Sequence, residues 1–173
     1  SAFAAAQRGQ QAAEEAAKQA AEQARKAEEA LQSQTQAQQL AEQEAKHLRE
    51  YEARRIARTE SAKASTALVQ SRAEALNLDF YIWRTARDQR VRVQHNKMDG
   101  VICRWSDPPD PESMAGEKSY GRYHPGGIFN CRCIALPIIA LEDISFPAKV
   151  HVSGHIEKIN SLIAFKERFG IAA

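Results

Sequence analysis

Hydrophobic and polar positions change their rhythm about halfway along this chain. From Ala12 to Glu50 large apolar residues are sparse, at Leu31, Leu40 and Leu48, and Ala, Gln, Glu, Lys and Arg fill the remainder. Through about residue 76, Gly9 is the only glycine and proline is absent. These are the strongest helix formers, uninterrupted, and they predict a helix. Its contact face is mostly alanine, with no continuous leucine seam, so residues 1–50 read as an extended helix or coiled-coil stalk, either a solvated, partly frayed spacer or an alanine-lined bundle that self-associates to bury its surface. After Glu50, Tyr51, Ile56, Ala64, Leu68, Ala75 and Leu76 share a broad helical stripe, with Arg54, Arg55, Arg58, Lys63 and Arg72 largely elsewhere. That stripe predicts packing against the C-terminal part.

Asn77 tolerates a left-handed cap conformation and marks the end of the helix. Phe80 to Thr85 is aromatic and β-branched, which predicts a strand with Phe80 and Ile82 on one face and Tyr81 and Trp83 on the other. Between Asp88 and Gly100, Val91, His95 and Met98 fall at helical spacing, with Asp88 as an upstream cap and Gly100 as a stop. Val101 to Trp105 predicts a short strand, Asp107 to Tyr123 an exposed loop, and Cys131 to Ile139 a further strand. On that last strand Cys131, Cys133 and Ala135 project one way and Arg132, Ile134 and Leu136 the other. After Ser153 and Gly154, the residues Ile156, Ile159, Leu162, Ile163 and Phe169 gather on one side of an amphipathic helix. The fold class is therefore α+β: a long Ala-rich N-terminal helix, a small mixed unit of short strands and helices, and a tail over 140–173 that carries the amphipathic helix.

Charge and cysteine content narrow the chemistry. A formal net charge of +2 is too small to imply a nucleic-acid partner. No apolar run approaches the roughly 18 residues of a membrane span, so no membrane partner is expected. Glu14 and Glu15 sit in the Ala-rich start, unlike a signal or transit peptide, which predicts a soluble, non-secreted protein. Three cysteines, Cys103, Cys131 and Cys133, are too few and odd in number for a disulfide framework. Metal binding and free thiols both stay open.

The densest chemistry lies in His124 to Cys133, HPGGIFNCRC. Two cysteines one residue apart on an extended segment project from one face, so both sulfurs can approach a single atom. With His95 and His124 they supply the four nitrogen and sulfur donors of a structural zinc site, and Cys103 is the substitute. The competing readings are a hydrogen-bonded His95 beside buried thiols, and a catalytic cysteine activated by His95 or His124 and oriented by Asp88 or Asp99. Asp88, Arg90 and Arg132 read as an internal brace between carboxylate and guanidinium. Arg84, Arg87, Arg90, Arg92, Lys97 and Arg104 make the centre locally basic, which fits contact with DNA phosphates or an ordinary solvated face.

Four pieces occur in a fixed order: Ile56-Ala57-Arg58-Thr59-Glu60, then Trp83 to Arg92 (WRTARDQRVR), then His95 with Met98-Asp99-Gly100, then Asn130-Cys131-Arg132-Cys133. Together they resemble the Mu protein F-like family of tailed bacteriophages, over about residues 52–138 and within a domain placed at 51–139. The resemblance implies a non-enzymatic minor head or head morphogenesis protein in the virion, assembled in the host cytoplasm. It further implies a place near the portal vertex, portal or major capsid protein as partner, and double-stranded phage DNA as a further contact. Members fused to toxin domains keep a catalytic effector module as the alternative, beside a nonspecific DNA-binding protein.

Overall fold

The computed structural model describes residues 2–172. Its contacts divide the chain into two units, Ser1–Glu52 and Ala53–Ala173, with the first helix, α1 (Ala2–Ala75), running through the division. In the first unit the large side chains Phe3, Leu31, Leu40 and Leu48 are all exposed. Local ion pairs support it instead: Glu14 with Lys18 at 2.9 Å, Glu22 with Lys26 at 2.7 Å and Arg25 with Glu29 at 3.6 Å. Each such pair contributes about 0.2–0.5 kcal/mol, so helix propensity carries this unit.

The second unit begins with the last turns of α1. Asn77 adopts φ 56°, and the amides of Asn77 and Leu78 donate back to the carbonyls of Glu74 and Ala73 at 3.0 and 2.9 Å. This is a Schellman ending, with Leu78 folded against buried Ala73. The chain then enters a five-stranded sheet in the order β3-β1-β2-β4-β5, formed by β1 (Phe80–Arg84), β2 (Ile102–Arg104), β3 (Ile134–Pro137), β4 (Ala148–Val152) and β5 (His155–Ile159). All pairs are antiparallel except β2 with β4, where Ile102 lies opposite Val150. Short helices α2 (Val93–Met98), α3 (Pro111–Met114) and α4 (Leu162–Phe169) complete the unit.

Alternation along β1 sorts the core into two layers, as the sequence predicts. Tyr81 and Trp83 join Ala73, Met98, Cys103, Trp105, Cys131, Cys133 and Ala135 on one face. Phe80 and Ile82 face Val150, Ile159, Phe165 and Phe169 on the other. The second layer is closed by aromatic edges: Phe80 lies 5.0 Å from Phe165 and 4.9 Å from Phe169 between ring centres.

Four expectations are corrected. The helix expected over Asp88–Gly100 is confined to Val93–Met98, and its N-cap is Arg92, not Asp88. The strand expected from Cys131 starts at Ile134, so both cysteines lie in an extended lead-in that keeps the predicted alternation of burial. Within the expected Asp107–Tyr123 loop a helical turn forms, α3, because Pro111 opens it and Asp110 Oδ1 accepts from the Ser113 amide at 3.0 Å. Most of all, Ile156 and Ile159 belong to a β-hairpin and not to a helix. Ser153 (φ 48°) and Gly154 (φ 91°) make the tight two-residue turn between β4 and β5, and the helix begins only at Leu162. The tail over 140–173 is thus part of the sheet and its second core layer, not an appendage.

This packing predicts that Phe165→Ala costs about 3–5 kcal/mol in a denaturant titration, the range for emptying a buried aromatic site. Ile163→Ala, on the exposed side of α4, should stay within about 0.5 kcal/mol of the parent.

Candidate functional site

The first core layer ends in a buried polar cluster. His95 comes from α2, Glu112 from α3, Tyr123 from the loop after α3, and Cys131 and Cys133 from the lead-in to β3. His95 and Glu112 are each 2% exposed, Cys131 6% and Cys133 5%. His95 Nδ1 lies 3.5 Å from the sulfur of Cys131 and 3.5 Å from that of Cys133. On the other side of the ring, Nε2 lies 3.0 Å from the Tyr123 hydroxyl and 3.5 Å from Glu112 Oε1. Tyr123 donates its proton to the Glu112 carboxylate at 2.8 and 2.6 Å. Burial and then the neighbouring Glu112 push the Tyr123 hydroxyl far above its ordinary pKa, so it stays protonated.

A hydroxyl has one proton, and here the carboxylate takes it. Its oxygen therefore accepts from His95 Nε2–H, which assigns a proton to Nε2 and turns Nδ1 toward the sulfurs. Trp83 fixes the ring plane from the side, edge-on at 5.6 Å. The thiols are not equivalent. Cys133, followed by His95, holds Cys131 below the ordinary thiol range, whereas the close Cys131 sulfur pushes Cys133 up. The Gly126 amide also donates to Cys131 at 3.3 Å.

The loop over 124–133 is shaped by its contact with the C-terminal turns of α1. A Cβ at Gly126 would sit 2.9 Å from Thr66 Oγ1 and 3.2 Å from the Ala62 carbonyl, and the backbone there has φ +83°, so only glycine fits. Thr66 donates to the Pro125 carbonyl at 2.5 Å, and the Asn130 amide donates to Thr59 Oγ1 at 3.1 Å. Thr59 belongs to the IARTE segment, so its hydroxyl positions the turn that delivers Cys131.

Of the four expected metal ligands, the structure brings together His95, Cys131 and Cys133, whose donor atoms all lie within 4.8 Å of one another. His124 is corrected out of that set. Its Nδ1 lies 3.0 Å from the Tyr81 hydroxyl, its ring packs 5.1 Å from Trp105, and burial holds its pKa below the ordinary value. Pro125, Gly126, Gly127, Ile128 and Phe129 separate it from Asn130, and its contacts are with Tyr81 and Trp105. Cys103 is likewise elsewhere, buried on β2 with its thiol pushed up to about 12 by burial. Glu112 and Tyr123 were not singled out by sequence reasoning, because they lie in a segment read as an exposed polar loop.

The expected brace of Asp88, Arg90 and Arg132 is assembled around the outside of this cluster. Arg132 makes two bonds to Asp88, at 2.5 and 2.6 Å, and the Arg90 amide donates to Asp88 Oδ1 at 3.0 Å. The residues proposed to meet phosphate do not form one open basic face. Arg84 and Arg87 pair with Asp99 at 3.6 and 3.0 Å, Arg90 with Asp88 at 3.8 Å, and Arg104 with Asp79 at 4.0 Å. Arg92 donates to the Phe129 carbonyl and lies over its ring, while Lys97 is exposed.

Residues 3–136 match the model of the family described as Phage Mu protein F like protein. The chain belongs to this family. The match extends through the Ala-rich start, where the sequence motifs had no part. A Haemophilus influenzae (strain ATCC 51907 / DSM 11121 / KW20 / Rd) protein, described only as uncharacterized, is 37% identical over 90 residues, covering 52% of this chain and 18% of the relative. The chain therefore spans less than a fifth of that relative's length. No solved structure matches. Among the described residues no helix is long and apolar enough to cross a membrane.

The brace gives a pH prediction. Arg132 beside Asp88 brings its carboxyl from 3.8 down to about 2. A depressed carboxyl pKa adds stability above the unfolded value, and that stability is lost as pH falls from 3.8 through about 2. Arg132→Ala should return the Asp88 midpoint toward 3.8 in a carbon-detected NMR titration, and an unmoved midpoint would remove Arg132 as the cause.

Proposed function

We propose that this chain acts as a minor head protein of a tailed phage or prophage, a low-copy virion component at the portal vertex. It works by docking on portal or major capsid subunits, and it is assembled into the head in the host cytoplasm. The observation that carries this reading is the family match across residues 3–136, which takes in both units.

The construction of the second unit supports docking over catalysis. Both thiols of the candidate nucleophile pair are almost wholly buried, and the imidazole beside them is committed to Tyr123 and Glu112 on its far side. In the first unit the described side chains of α1 up to Glu52 are almost all exposed, and they are mainly alanine, glutamine and charged residues, some of them paired. Such a surface gains burial only from other subunits, which supports self-association through the N-terminal helix.

Mass spectrometry of purified particles, with the portal as internal standard, tests the reading. The expected result is this protein in the head fraction at a copy number comparable to or below the portal's. Its absence from particles, together with its appearance in the culture medium as a released protein, would overturn it.

A further inference from the structure

We propose that His95 Nδ1, Cys131 Sγ and Cys133 Sγ bind one borderline-soft divalent cation, of which zinc is the type, with Glu112 and Tyr123 orienting the imidazole from its other nitrogen. The two nitrogen–sulfur distances match those of a bound ion. A tetrahedral ion with sulfur at about 2.3 Å and nitrogen at about 2.05 Å holds its nitrogen and sulfur donors about 3.6 Å apart. Both Nδ1 to Sγ distances here are 3.5 Å.

Three further features point to the same ligand. First, the Nε2 contacts reproduce the arrangement of a metal-bound histidine, whose second ring nitrogen donates to a carboxylate or an oxygen tied to one. Second, the buried indole nitrogen of Trp83 makes no hydrogen bond of standard geometry, and its interaction with the Cys133 sulfur favours the thiolate, the form that ligates a metal. Third, all three ligand residues line one cavity of about 100 Å³, together with Asn130 and Arg92. A water occupies roughly 30 Å³, so the cavity has room for an ion and a water completing its coordination.

Charge favours the same occupant. Two thiolates and a neutral imidazole cancel a dication, so the ion adds no net charge to a cluster whose buried Glu112 carboxylate is already held by the Tyr123 hydroxyl and the His95 ring. Binding releases the thiol protons, and the ion joins α2 directly to the chain entering β3. Through Gly126, Pro125 and Asn130 it also sets the loop that meets Thr59 and Thr66 of α1.

The test uses the full chain, purified without chelators or a polyhistidine tag. Zinc counted by inductively coupled plasma mass spectrometry should be near one equivalent, and stripped protein should take up one equivalent again. The doubly substituted Cys131→Ser, Cys133→Ser chain should lose it, and His124→Ala should keep it. Cobalt in place of zinc should give the intense visible absorption of a tetrahedral thiolate site. Glu112→Gln keeps the shape and removes the charge, so competition with a chromophoric chelator should show zinc held about 10- to 100-fold more weakly. Zinc well below one equivalent in both the purified and the re-loaded protein, with the circular dichroism of a folded α+β chain, would overturn the proposal. So would full binding by the double serine variant, or loss of zinc in a natively folded His124→Ala chain. An unchanged affinity in Glu112→Gln would overturn the orienting role.

Discussion

One imidazole, His95, is gripped from both ends, and the first core layer is organised around that grip. Behind it a buried carboxylate and a tyrosine hydroxyl share one proton and require another from Nε2. In front of it two sulfurs stand at equal distances from Nδ1. Burial is what gives this arrangement its force. In a polar surface loop the same groups would be satisfied by water, whereas here each unpaired donor or acceptor would cost about 1–3 kcal/mol. Glu112 explains why α3 exists at all in a stretch rich in proline and polar residues: its short turn carries the carboxylate inward while Asp110 satisfies the turn's first amides.

The same grip links segments far apart in sequence. Cys131 and Cys133 come within reach of His95 only because the loop before them turns sharply against α1, and it turns there only because residue 126 has no side chain. Thr59 and Thr66, on a helix whose described earlier side chains are almost all solvent-exposed, supply the hydrogen bonds that hold that loop. Outside the cluster the Asp88–Arg132 pair ties the lead-in of β3 to the segment before α2. It is partly exposed, so it sets geometry more than it adds stability.

Much of this was legible from residues alone, and the failures have physical causes. The α+β class, the end of α1 at Asn77, the two-faced β1 and the inward pair Cys131 and Cys133 all follow from local rules, and local rules govern them in the structure. The Ser153–Gly154 hairpin was also legible, since two small residues between β-branched runs are a strong turn signal. Ile156 and Ile159 also fit a helical stripe, and pairing of β4 with β2 from across the chain settles their state as strand. His124 is close to the cysteines in sequence, but its contacts are with Tyr81 and Trp105. Glu112 and Tyr123 carried no signal, because nothing local distinguishes a glutamate that will be buried by tertiary packing from one that stays in water.

The central claim is that Glu112 and Tyr123 fix the protonation of His95 from behind and so leave Nδ1 to the sulfurs. Long-range proton–nitrogen NMR spectroscopy of nitrogen-15-labelled His95 at neutral pH reads this directly. The account predicts a bound proton on Nε2 that exchanges slowly with solvent. A ring carrying its only proton on Nδ1, with Nε2 bare beside Glu112, would contradict it.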